Sequence, residues 1–182
     1  MKKCVCIFAF ISFLITLGCL SHQETKWPMY LHNENSRPIY FAPGIEPTGF
    51  NGIKWEMMVS SIEGMQYHRT DLSYGGVEFY LRKGDTFKLE NGRTLPIQYG
   101  FWKGKFYIGI VYTKGKRDWN ELKETVFRKF GEGSKSWSNR EEYLWLGENS
   151  VMALGYNEYN KMGTYYIKSE SMLKQMEAYG SD

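Results

Sequence analysis

Cysteine is nearly missing from this chain of 182 residues, and its placement is uneven: Cys4, Cys6 and Cys19 are the only three. Without cysteine after position 19, the body can build neither a disulfide framework nor a thiolate zinc site. Histidine is almost as scarce. His22, His32 and His68 lack the close pairing of a metal site, so no metal and no other cofactor is expected. There is no Gly-x-Ser-x-Gly elbow, phosphate loop or dinucleotide fingerprint. The stretch Gly131-Glu132-Gly133-Ser134-Lys135 copies part of a phosphate loop, but it follows an expected helix instead of opening one, so its amides point the wrong way. An excess of one charge is missing too. Lys plus Arg number 23 against 20 Asp plus Glu, and two of the lysines are Lys2 and Lys3. A nucleic-acid partner, which needs a basic stripe, is therefore not expected.

What is present starts with an address. Lys2 and Lys3 precede an apolar run, Val5 to Leu17, broken only by Cys6, Ser12 and Thr16. It is too short to cross a bilayer core of about 30 Å as a helix and suits a signal peptide. Thr16-Leu17-Gly18-Cys19 resembles a bacterial lipobox, in which the cysteine becomes the acylated first residue. The expectation is a signal peptide over 1–18 and lipid attachment at Cys19. The mature chain is then a lipoprotein of the bacterial cell envelope, held on the membrane by its acyl chains. A soluble periplasmic or secreted product of ordinary signal peptidase, or an uncleaved anchor, are the alternatives. Residues 19–48 read as a tether, since Pro28, Pro38, Pro43 and Pro47 lie there among scattered aromatics.

Residues 49–182 read as one α+β domain. Val77, Phe79 and Leu81 alternate with polar neighbours, as in a half-buried strand. Asn91-Gly92 signals a hairpin turn. Ile97, Tyr99 and Phe101 face Phe106, Ile108, Ile110 and Tyr112 across Lys103-Gly104, the clearest hairpin. The spacing predicts a helix over 118–130, with Asp118 and Glu121 as a capping box, Trp119, Leu122, Val126 and Phe130 on one face, and Gly131 as its stop. Three strands follow, 142–146, 151–156 and 164–168, and Ser169 can cap a last helix bearing Met172, Leu173 and Met176. The expected architecture is an antiparallel sheet of about six to eight strands, covered by one main helix in two layers, with a short C-terminal helix.

Phe50-Asn51-Gly52-Ile53-Lys54-Trp55, the helix ending in Phe130-Gly131, and Tyr143-Leu144-Trp145 resemble motifs of an uncharacterised family of exported bacterial proteins. Glu56 stands where that family usually carries glycine, and Met57 where it carries Thr or Ser. The resemblance implies an exported domain and no catalytic residues. At fold level the pattern is also similar to small outer-membrane assembly lipoproteins and β-lactamase-inhibitor-like domains, both of which work by binding other proteins.

Two polar clusters invite a chemical reading. His68 and Asp71 could form a base and its orienter, but the stretch also reads as a polar edge or loop, and in an extended strand the two, three apart, would point to opposite faces. Glu141 and Glu142 are adjacent on a strand and diverge in the same way. The aromatic excess is the stronger feature. Trp102, Tyr107, Tyr80, Tyr156 and Tyr166 fall on the polar phase of their strands and are the candidate binding residues, as Tyr and Trp often anchor interfaces. The expected function is a non-catalytic binding or adaptor domain held by lipid and meeting an envelope protein. The alternatives are an envelope hydrolase acting on carbohydrate or cell-wall material, or a small-ligand binder with its pocket between helix and sheet.

Overall fold

The structure is a computed structural model and describes residues 40–135 and 141–180. The expected leader, Cys19 and most of the expected tether lie outside the described residues.

The described chain opens with a small hairpin, β1 (Gly49–Phe50) and β2 (Ile53–Lys54), turned by Asn51 and Gly52 at φ 49° and 81°. That pair of positive φ values is what an Asn-Gly turn supplies. A 3-10 turn at Val59–Ser61 leads into β3 (Met65–Asp71), then β4 (Val77–Arg82), β5 (Thr86–Lys88), β6 (Thr94–Trp102) and β7 (Lys105–Lys114). The main helix α1 (Lys116–Phe130) follows, then β8 (Ser134–Lys135), β9 (Glu141–Leu146), β10 (Ser150–Asn157), β11 (Met162–Ser169) and α2 (Glu170–Gly180). Nine strands make one antiparallel sheet in the order β3-β4-β6-β7-β11-β10-β9-β8, with β5 on the free part of β6. This is an α+β fold with one main helix and a short C-terminal one.

The helix α1 lies on one face because its apolar residues share a stripe: Trp119, Leu122, Val126 and Phe130 are all buried. Under it stand Val111, Tyr165, Ile167, Met152, Leu154 and Trp145, one phase of four strands. Glycine makes the closest approaches possible. A Cβ on Gly163 would sit 2.6 Å from the Trp119 ring, and one on Gly109 would sit 2.2 Å from Phe50. Gly131 stops the helix at φ 77°, donating to the Phe127 carbonyl at 2.8 Å.

The helix starts earlier than the capping box implied. Its N-cap is Gly115, and Asp118 sits in the first turn, where it pairs with Arg93 instead of capping. The hairpin phase also differs. Between β6 and β7 a bulge sets Phe101 against Phe106 and Gly100 against Ile108, leaving Tyr107 as the extra residue. Phe106 therefore joins Ile97, Tyr99 and Phe101 in the core under α1, while Ile108 and Ile110 turn to the opposite face. Residues 40–48, placed in the expected tether, cross the fold. Tyr40 bridges Leu146, Phe41 meets Phe130 edge-on at 6.0 Å, and Glu46 Oε1 accepts Ser150 N at 2.9 Å.

On the sheet's second face α2 covers only part of the surface. Met172 N donates to its capping residue Ser169 at Oγ, 3.3 Å away, and Met172 and Met176 are buried. From the end of β11 the helix reaches toward the β3–β4 turn, where Tyr179 meets Trp102.

Candidate contact surface

The five aromatic residues singled out from the strand phases do not form one open face. Tyr156 is buried under α1, stacked on Trp119 at 5.5 Å. Tyr80 is half-buried on that same side, edge-on to Phe101 at 5.3 Å, its hydroxyl donating to Glu78 Oε2 at 2.9 Å. Tyr166 is buried on the opposite side, paired in register with Ile110, with Lys168 Nζ 5.1 Å from its ring. Burial draws that ammonium down to about 8, against the pull of Glu177 and Glu170. Tyr107, the bulge residue, is buried beside Asp71 and Tyr74, and burial raises its phenol above the ordinary range. Trp102 is only 4% exposed. The expectation of an open aromatic sheet face is thus corrected. In β10 the phase of Met152, Leu154 and Tyr156 faces α1, and on the other face α2 lies against Trp102.

Exposure gathers elsewhere, at one end of the sheet. That end carries the β3–β4, β6–β7 and β9–β10 turns and the start of α2. Of nine exposed large apolar side chains among the described residues, six are there: Tyr40, Ile45, Met58, Leu72, Tyr74 and Tyr179. Leu72 is 86% exposed, Tyr179 47% and Tyr74 45%.

The turn that displays Leu72 and Tyr74 is held stiffly. Asp71 Oδ1 accepts both Ser73 N at 2.9 Å and Ser73 Oγ at 2.6 Å. Tyr74, Gly75 and Gly76 follow with φ of 53°, 80° and 110°, and for Tyr74 that left-handed backbone costs about 1–2 kcal/mol. Two contacts offset the strain. Trp102 Nε1 donates to the Tyr74 carbonyl at 2.8 Å, and Gly75 lies flat against Tyr179, where a Cβ would be 2.8 Å from the ring. Tyr179 in turn meets Trp102 edge-on at 5.7 Å.

Lys103 completes the corner. It opens the two-residue β6–β7 turn at φ 49°, and its ammonium lies 4.4 Å from the Trp102 ring centre and 4.0 Å from that of Tyr179. Beside it runs an open groove of about 430 Å³, lined by Trp102, Lys103, Lys105, Gln175, Ala178 and Tyr179. On the far side of the groove Lys105 Nζ reaches Glu56 Oε2 at 3.2 Å, and Ser171 Oγ donates to Glu56 Oε1 at 2.9 Å. The hydrogen bond from Ser171, then that from Lys105, hold the Glu56 carboxyl below its ordinary range. Glu56 has φ 64°, the region glycine favours, so its side chain clasps β7 and α2 from a backbone most residues avoid.

In the polar clusters considered for chemistry, Asp71 and Glu141 are engaged in structural contacts. His68 is exposed at a register shift in β3, and Asp71 serves Ser73. Glu141 bridges Lys116 at 2.6 Å and Lys123 at 2.5 Å. A polar cluster with no sequence signal lies at the opposite end. Tyr99 Oη donates to Asp85 Oδ2 at 2.7 Å and accepts Asn51 Nδ2 at 2.8 Å, pinning the β1–β2 turn to the sheet. Burial, then the Asp85 bond, keeps the Tyr99 phenol well above its ordinary range. No group of three or more His, Cys, Asp or Glu among the described residues is arranged to hold a metal ion, and no described helix is long and apolar enough to cross a membrane. Compared with family models, curated proteins and solved structures, the chain matches none of them.

Proposed function

We propose that this chain is an exported, lipid-anchored domain of the bacterial cell envelope that works by contact, with the α2 end of the sheet as its contact surface. The observation that carries the contact half is the gathering of exposed Leu72, Tyr74 and Tyr179 around Trp102 on a stiffened turn. A protein rarely strains its backbone to hold a large apolar side chain in water without a use for it. The address half is supported by the sequence: a basic start, a short apolar run and a cysteine at the expected cleavage point.

The test of the address is fractionation of the full-length protein, with mass analysis of its N-terminal peptide. The wild type is expected in the membrane fraction, starting at an acylated Cys19. Cys19→Ser is expected in the soluble fraction. A Cys19→Ser protein that stays with membranes and keeps residues 1–18 makes the segment an uncleaved anchor and ends the lipoprotein reading.

A further inference from the structure

The exposed corner has a composition of its own. Tyr74 and Tyr179 offer exposed rings with polar tips, Leu72 projects beyond them, and Lys103 holds a charge against the Tyr179 ring and the buried Trp102 ring beneath it. Rings with one wet end, an aliphatic wedge and a lysine are the side chains that settle at a membrane–water boundary. The corner's acidic groups are matched: Glu56 by Lys105 and Ser171, and Asp71 by the Ser73 amide and hydroxyl. No dense acidic or basic field marks the corner for a charged macromolecule.

Chain path places the upstream segment, and with it the anchor, on the corner's side of the sheet. The described chain begins at Tyr40 beside Leu146, at the same end of the sheet. Leu146 aligns through Val151 and Lys168 with Ile108 and Gly100, the strand ends that flank Trp102. A lipid on Cys19 lies upstream of that point by a stretch whose fully extended reach is roughly 70 Å. That length is enough to bring the domain to the bilayer, and the described chain enters the fold at the corner's own end.

We infer that the α2 end of the sheet rests on the lipid surface, with Leu72 and the Tyr74 and Tyr179 rings at the headgroup boundary and Trp102 buried beneath them as their support. The partner of the contact surface is then the membrane itself, and the opposite end, with Tyr159 and the Lys116–Glu158 pair, points away from it. This rests on the lipid-anchor reading for the tether, while the corner's affinity for lipid belongs to the corner alone.

The chain's sparse cysteine makes the test direct. After Cys19 no thiol remains, and an acylated Cys19 is blocked, so Leu72→Cys and Tyr159→Cys each provide a single labelling site. Both positions are exposed, so neither change disturbs packing. Each protein, purified in mature form without residues 1–18, is labelled with a polarity-sensitive fluorophore and placed on vesicles of phosphatidylethanolamine and phosphatidylglycerol, with and without a nitroxide quencher on the acyl chains. The label at 72 is expected to shift to shorter wavelength and lose several-fold in intensity with the quencher, while the label at 159 keeps its aqueous spectrum. On membrane-bound protein, a label at 72 that behaves like the one at 159 overturns the proposal and assigns the corner to a protein partner. Failure of the anchor reading is seen separately, as wild-type protein in the soluble fraction. In that case the same two labels are read on Cys19→Ser protein with excess vesicles. A shift at 72 alone upholds the lipid-facing corner, and no shift overturns it.

Discussion

The two ends of the sheet are built from different materials. At the end where α1 begins, five charged side chains are chained together: Lys123 and Lys116 share Glu141, Lys116 also holds Glu158, and Glu158 holds Lys161. Beneath them Trp119 and Tyr156 are stacked and buried. At the end where α2 begins, rings and a leucine reach solvent and lysine ammonium groups sit over rings or on a single carboxylate. The first end is finished for water. The second is unfinished in water, because exposing large apolar side chains forgoes roughly 25 cal/mol for each Å² left uncovered. One protein holding both solutions fits the proposal that the apolar end is kept for contact. The chain can cover an end when covering it is useful.

If that contrast is right, truncating the buried tryptophan at each end should cost differently. Trp119→Ala removes a ring that α1 presses onto Gly163 and Tyr156, and a loss of about 3–5 kcal/mol in chemical denaturation is expected. Trp102→Ala removes a ring held by the Tyr74 carbonyl and the last turn of α2, and about 2–3 kcal/mol is expected, since those neighbours can collapse into the space. Hydrogen exchange separates the two further. The first variant should raise exchange across α1 and the sheet, the second only around residues 72–76 and the end of α2. Global exchange in the Trp102 variant would make both ends parts of one core and dissolve the comparison.

Much of the architecture could be read from residues alone, and the part that could not has physical causes. The stripe Trp119, Leu122, Val126 and Phe130, the stop at Gly131 and the cap at Ser169 are local signals, and the structure has all three. β3 escaped because Met65-Gln66-Tyr67-His68-Arg69-Thr70-Asp71 is an edge strand with no apolar alternation to betray it. The bulge at Tyr107 escaped because strand phase assumes a period of two, and one extra residue reverses every side chain after it. That reversal is why Ile108 and Ile110, read in one phase with Phe106, lie on the opposite face from it. The contact surface was missed for a related reason: strand phases direct attention to sheet faces, while Leu72 and Tyr74 lie in a turn. Their signal was present as large apolar residues in a Gly-Gly turn, where polar residues normally stand.

A smaller effect probes the third polar cluster. Tyr99→Phe deletes the hydroxyl that joins Asn51 to Asp85 and leaves a carboxylate short of a donor, at an expected cost of about 1–2 kcal/mol. Asp85 keeps Asn51 at 3.1 Å and Arg82 at 3.5 Å, which limits the loss. Freer motion of the β1–β2 turn, read by hydrogen exchange at Phe50 to Lys54, should accompany it. A variant as stable as the wild type would show that the turn is held by Phe50 packing alone.

The charged end should also be the acid-sensitive one. Desolvation pushes the Glu141 carboxyl up, but hydrogen bonds from Lys116 and Lys123 outweigh it, with the Trp119 indole on the same side though short of good hydrogen-bond geometry. The net result is a carboxyl lowered to about 2 from 4.5. A carboxylate whose folded value is depressed adds stability that is complete above its unfolded value and vanishes as pH falls to the folded one. The window is therefore from about 4.5 down to about 2. Glu141→Gln should cost about 1 kcal/mol at neutral pH, since the network is largely solvated, and should flatten the stability profile across that window. Glu56, at the apolar end, is also depressed, so a Glu56→Gln control should flatten the profile less if the charged end dominates acid response.

The smallest expected effect on stability is the one that bears most on the comparison. Leu72 and Tyr159 are the most exposed large apolar residues at their two ends, 86% and 97%. Replacing either with Asp should move stability by no more than about 0.5 kcal/mol, because neither side chain is packed. Their effects on membranes should part. Burying a leucine at a lipid surface contributes roughly 1.5–3 kcal/mol, and every 1.4 kcal/mol is tenfold in a partition ratio. Leu72→Asp in the Cys19→Ser background should therefore lower vesicle binding at least tenfold, and Tyr159→Asp should leave it within twofold. Sedimentation with phosphatidylethanolamine–phosphatidylglycerol vesicles measures both. Equal losses would mean that exposure alone drives adsorption and that the two ends are functionally alike. A loss confined to Leu72 would mean that the strained turn from Asp71 to Gly76 is kept because it aims one leucine at a lipid surface.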